Sequence, residues 1–138
     1  MKKISILSGV FAFIAITALY SCTKQVREEV EGKWMKEAFV NSYDSDSAIW
    51  TFNNGTLIVE NLTDSTKSDT GQYLIVEKKL KNFVRVVNTK DYQDQTRLNG
   101  DWQVIQYKKD KLTLVKEDVN LVTGKPSGNV LREFTRIE

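Results

Sequence analysis

The residues able to do chemistry in this chain are few. Cys22 is the only cysteine, and histidine is absent. Without histidine the commonest general base and the commonest metal ligand are both missing. Ser-His-Asp and Cys-His sites are excluded outright. A zinc site made of carboxylates alone is poor chemistry for that ion. The carboxylates Asp44 and Asp46 sit in loop-like sequence, with no sign of the opposed pair that glycoside chemistry needs. No catalytic, metal-binding or cofactor-binding residue is assigned, and the chain is expected not to be an enzyme.

Cys22 takes its meaning from what precedes it. Lys2 and Lys3 form a positive tip, and residues 4–19 carry no charge and are almost wholly apolar or small. That run is short of the roughly 20 residues a membrane-spanning helix needs. It matches the h-region of a secretory signal followed by a small-residue cleavage site. Leu19-Tyr20-Ser21-Cys22 resembles the lipobox of bacterial lipoproteins, with Leu three residues before the cysteine and a small residue just before it. The resemblance implies cleavage before Cys22, a diacylglycerol on its sulfur and an acyl chain on its new amino group. Each buried CH₂ contributes about 0.8 kcal/mol, and stable anchoring takes at least two chains. Thr23, where that family often carries Asp for inner-membrane retention, implies the outer membrane of a bacterial envelope. The expected organisation is a signal peptide over 1–21, a lipidated cysteine and tether over 22–31, and one folded domain over 32–138.

The formal charge of +2 rests on Lys2 and Lys3. Once they leave with the leader, basic and acidic residues balance. No net positive field remains to attract nucleic acid, and strong steering to anionic lipid is not expected either. With one cysteine no intrachain disulfide can form.

Within residues 23–31, Val26 and Val30 are four apart, which gives one apolar edge to a short helix. A solvated tether fits the same residues equally well. From Gly32 onward the apolar period changes to two. Strands are expected over 33–40, 48–52, 56–61, 72–77, 83–88, 101–107, 111–116 and 130–137. Asn53-Asn54-Gly55 is a hairpin signal, because Asn and Gly accept positive φ. The stretch 118–129, with Gly124, Pro126 and Gly128, reads as a loop. Eight short strands with hairpin-sized links suggest an all-β, antiparallel up-and-down barrel, since closure removes exposed edges. An open sandwich is the competing architecture.

Gly32-Lys33-Trp34, at the start of the first strand, resembles the Gly-x-Trp signature of lipocalins. The chain is also similar to small lipocalin-like lipoproteins of Bacteroidetes-type bacteria. They share the lipidated cysteine, this start, a hairpin like Phe52-Asn53-Asn54-Gly55 and an end like Arg132-Glu133-Phe134-Thr135-Arg136. The lipocalin resemblance implies that Trp34 plugs the closed end of the barrel and that an Arg of the last strand lies across it. Arg136 is expected in preference to Arg132, both being in phase with Phe134. Asp46-Ser47-Ala48 resembles the O-glycosylation site of such envelope proteins, which makes Ser47 a candidate.

Following the large aromatics, the inward face is expected to hold Trp50, Phe52, Tyr73, Phe83 and Trp102, which are the candidate ligand-lining residues. Phe83 and Val87 are inward in this phase. Ile58, Leu74, Val76, Val84 and Val86 point outward and form a candidate apolar patch for a protein partner. An eight-stranded barrel either fills itself with side chains or holds one small ligand. Two function classes follow. One is a lipid-anchored binding module for a small apolar ligand; the other is an envelope interaction protein with a filled barrel.

Overall fold

A computed structural model describes residues 23–36, 46–90, 98–119 and 122–138. Cys22, the leader and the carboxylate Asp44 lie outside the described residues. A short helix, α1 (residues 23–30), leads into β1 (Gly32–Lys36). The remaining strands are β2 (Ala48–Asn53), β3 (Thr56–Asn61), β4 (Asp69–Lys78), β5 (Lys81–Val87), β6 (Gly100–Tyr107), β7 (Lys111–Val119) and β8 (Pro126–Arg136). Each strand pairs antiparallel with the next, and β8 returns beside β1 to close an eight-stranded barrel. The sandwich is thereby ruled out. No helix among the described residues is long and apolar enough to cross a membrane.

Two-residue turns set the register at one end of the barrel. Asn54 and Gly55 take φ of 47° and 81° between the paired Asn53 and Thr56. Both central residues at positive φ give the twist that suits a tight hairpin. Lys79 and Leu80 do the same between Lys78 and Lys81, with φ of 50° and 62°. The second turn corrects the expected phase of β5. Because Lys78 pairs with Lys81, inward Ile75 faces Val84, and outward Val76 faces Phe83. Val84 and Val86 are fully buried in the core, while Phe83 and Val87 lie half-exposed on the outside. Phe83 is therefore not a ligand-lining residue, and Val84 and Val86 are not part of an outer patch. A two-residue turn keeps the parity of the two strands locked, and the bulk of Phe83 cannot override it.

Other boundaries also move. β4 begins at Asp69, β5 at Lys81 and β8 at Pro126, and β7 runs to Val119, so 118–119 and 126–129 are strand where a loop was expected. This part of β8 pairs with the end of β7 in a ribbon whose residues 126–129 are all exposed. Proline is tolerated there because it stands at the first position of its strand.

The core is aromatic. Trp50 touches Phe134 at 5.1 Å between ring centroids and Trp102 edge-on at 5.9 Å. Phe52 meets Tyr73 edge-on at 5.1 Å. Val26 and Val30 of α1 are fully buried against this cluster, so residues 23–30 are part of the folded unit and not a tether.

Candidate functional site

One end of the barrel is closed around Trp34. Its indole is fully buried, and Nε1–H donates to the Val30 carbonyl at 2.8 Å. Trp34 and Arg136 are direct neighbours across β1 and β8, and the guanidinium lies 4.2 Å from the ring centroid. Arg136 also donates to the Glu31 carbonyl at 2.9 Å and to the Glu29 carbonyl at 2.5 Å. A cation at the last carbonyls of α1 satisfies acceptors that the helix leaves open. Arg136 therefore joins the plug, the helix and the last strand.

Glu31 ties the same end to two hairpins. Its Oε1 accepts from the Tyr73 hydroxyl at 3.0 Å and from the Asn54 N–H at 3.2 Å. Burial first, and the Glu31 carboxylate second, push the Tyr73 hydroxyl up to about 12. Below pH 10 the phenol is protonated whether the chain is folded or not. Between about 10 and about 12 the unfolded chain loses the proton that the folded chain keeps, so stability falls with rising pH by about 1.4 kcal/mol per unit. Urea unfolding from pH 8 to pH 12 should show Tyr73→Phe less stable than wild type at pH 8, with the gap closing above pH 11. A constant gap would disprove this assignment.

The opposite end carries a second copy of the same device, which sequence reasoning missed. Trp102 Nε1–H donates to the carbonyl of Leu98, again four residues earlier, at 2.8 Å. Gly100, like Gly32, precedes its Trp by two and has a φ near +125° (127° and 123°). Lys116 on the neighbouring strand sits 4.6 Å over the Trp102 ring, in the role that Arg136 has over Trp34. The signal was present as a second Gly-x-Trp, Gly100-Asp101-Trp102.

Between the two plugs, Arg132 is buried and sandwiched, 5.0 Å from the Trp50 ring and 4.7 Å from the Trp102 ring. Lys36 and Asp69 are buried near the same end. Asp69 accepts from the N–H groups of Thr70 and Lys90. Of the candidate lining residues, Trp50, Phe52, Tyr73 and Trp102 share the interior; Trp50 and Trp102 face the Arg132 guanidinium, and Tyr73 meets the Glu31 carboxylate. Arg132 shares its inward phase with Phe134 on β8, as the sequence pattern expects; its place between two tryptophans of other strands is what the pattern does not give.

Ser47 precedes β2 at this end, half-buried. Its neighbour Asp46 accepts from the Asn61 amide at 3.1 Å and from Lys67 at 3.3 Å, and these contacts, the amide first, hold its carboxyl below the usual range. On the outer wall, Arg85 first and then Lys78 lower the Asp101 carboxyl to about 2. Ile58 and Leu74 are exposed there, as expected of an outer face. Among the described residues no cluster of His, Cys, Asp or Glu could hold a metal ion. No protein-family model, no curated protein and no solved structure matches the chain.

Proposed function

We propose that the chain is a lipid-anchored lipocalin-like protein of the bacterial envelope, non-catalytic, which takes a small apolar ligand at the end of the barrel opposite α1. Arg132 carries the ligand reading. Burying a guanidinium inside a barrel costs several kcal/mol before compensation, and a core that served packing alone would place an apolar residue there. Its guanidinium lies 5.0 Å from the Trp50 ring and 4.7 Å from the Trp102 ring, so the interior sets a cation among apolar rings, a combination that suits a ligand with an apolar body and an acidic group. Trp50 packs against both Trp102 and Phe134, which limits any guest to a small one.

The second reading, an interaction protein with a filled barrel, is favoured by the repeated plug. With Trp34 and Trp102 closing the two ends, a guest has to displace the Leu98–Gly100 stretch to reach Arg132. Native mass spectrometry on protein taken from its own membrane tests both halves of the proposal. The expected species begins at Cys22, carries a diacylglycerol and an acyl chain, and releases a small non-covalent adduct. A fluorescent fatty-acid probe should bind it and quench tryptophan emission. Lipidated protein with neither adduct nor probe binding would leave the filled-barrel reading standing. Cys22→Ser should abolish the lipid-bearing mass and let high salt wash the protein from the membrane fraction; a variant that stays there at the normal, lipid-bearing mass would overturn the anchor.

A further inference from the structure

The charge balance of the chain conceals a strong local imbalance. The turns at the α1 end of the barrel include the β4–β5 tip, Lys78-Lys79-Leu80-Lys81, and the β6–β7 tip, Lys108-Lys109-Asp110-Lys111. All eight of these residues are exposed. Six are lysines and one is an aspartate. β5 and β6 are paired neighbours, so the tips stand two strand spacings apart, about 10 Å. Lys78 folds up the wall to Asp101. Lys79, Lys81, Lys108, Lys109 and Lys111 make no ion pair among the described residues; on the same end Glu138 pairs with Lys33 at 2.7 Å, Glu28 pairs with Lys24 at 3.7 Å and Glu31 accepts from Tyr73 and Asn54, which leaves Glu29 and Glu77 as the other carboxylates beside the tips.

Leu80 breaks two local rules at the apex. It is 87% exposed, and it holds a φ of 62° where Gly, Asn or Asp would be the easy choice. Departures of this kind, with no gain in packing, are expected at functional positions. An apolar side chain flanked by lysines on a protruding turn suits the boundary between headgroups and acyl chains, where the lysine ammoniums stay in water and meet phosphates.

We propose that the α1 end of the barrel is a docking surface for an anionic phospholipid bilayer, with Leu80 entering the interface and the tip lysines on the headgroups. It does not rest on the lipid at Cys22, although residue 23 begins the helix at this same end. A chain anchored there would stand with α1 and Trp34 towards the membrane and the Trp102 end away from it.

Co-sedimentation of the full chain carrying Cys22→Ser tests this, on vesicles of phosphatidylcholine alone and of phosphatidylcholine mixed with phosphatidylglycerol. Lys2→Ser and Lys3→Ser are carried as well, so the leader's remaining, apolar contribution is common to both vesicle types and the difference between them reads the surface. Binding to the mixed vesicles should be at least about tenfold tighter at low salt and should fall as salt rises. Lys79→Glu with Lys81→Glu, Lys108→Glu and Lys109→Glu should abolish the difference, with unchanged tryptophan emission as the check on folding. Leu80→Ser should weaken binding several-fold without altering charge, and Lys125→Glu at the far end should leave it unchanged. Equal binding to both vesicle types, or a difference that survives the tip substitutions, overturns the proposal. So does a Leu80→Ser chain that binds like wild type while soluble heparin competes, since the lysines would then serve an acidic macromolecule. Loss of the lipid-bearing mass in Cys22→Ser protein from cells reads the anchor separately.

Discussion

Trp34→Ala should destabilise the barrel by about 3–5 kcal/mol, the range for a large aromatic lost from a core. Three losses coincide. The indole is fully buried, so its removal leaves a void beneath α1. The Val30 carbonyl loses its donor at the very end of the helix, and a buried acceptor without a partner costs about 1–3 kcal/mol. The Arg136 guanidinium loses the ring it lies against at 4.2 Å, a contact worth about 0.5–2 kcal/mol. These terms overlap and do not add. In a domain of this size the result is a fall in Tm of roughly 10–20 °C. Trp34→Phe keeps a ring under the guanidinium but no N–H, and should lose less than half as much. The check is urea unfolding followed by circular dichroism, because fluorescence would lose one of its reporters. A loss below about 1 kcal/mol, the size of an ordinary surface change, would show that Trp34 is not the plug.

The parts of the fold that were legible in the sequence share one property: their signal is local. β2 and β3 are bounded by an Asn-Gly turn whose conformation is dictated by the two residues in it. The inward run Trp50, Phe52, Leu57 and Val59 follows from the register this turn sets. Lys79-Leu80 has no such chemistry. A turn of two non-glycine residues at positive φ is not readable from their types, so the start of β5 was placed too late and its phase followed Phe83 in error. Val26 and Val30 show another limit. Two valines four apart fit a helix, but only a barrel end waiting to be covered decides that the helix forms. The pairing of Arg132 with Trp50 and Trp102 joins β8, β2 and β6, whose contact exists only after closure. In contrast, the second Gly-x-Trp was readable in principle. Its Gly100 and Trp102 repeat the spacing of Gly32 and Trp34, and what was lacking was the physical reason why a glycine should stand two residues before a buried indole.

That reason predicts a difference between the two glycines. Each holds a φ near +125°, 123° at Gly32 and 127° at Gly100, where any Cβ is strained by about 1–3 kcal/mol. The surroundings differ. A Cβ on Gly32 would lie 2.6 Å from Arg136 Nη1 and 2.8 Å from the Glu138 carbonyl oxygen. The guanidinium is held by Trp34, Glu29 and Glu31, and the carbonyl is backbone that accepts from Lys33 N–H at 3.1 Å. Neither can withdraw without breaking the closure. At Gly100 the close neighbour is Lys116 Cδ at 3.2 Å, part of a flexible side chain. Gly32→Ala should therefore cost about 3–5 kcal/mol, combining strain with overpacking of about 1–3 kcal/mol. Gly100→Ala should cost about 1–3 kcal/mol, the strain alone. Because the Arg136 contact is part of the penalty at Gly32, the double variant Gly32→Ala, Arg136→Ala should lose less than the two single losses together. Urea midpoints of the four variants against wild type decide it. Equal losses at the two glycines, or additive losses in the double variant, would mean that the glycine of the first plug is required by its backbone angle and not by the approach of Arg136.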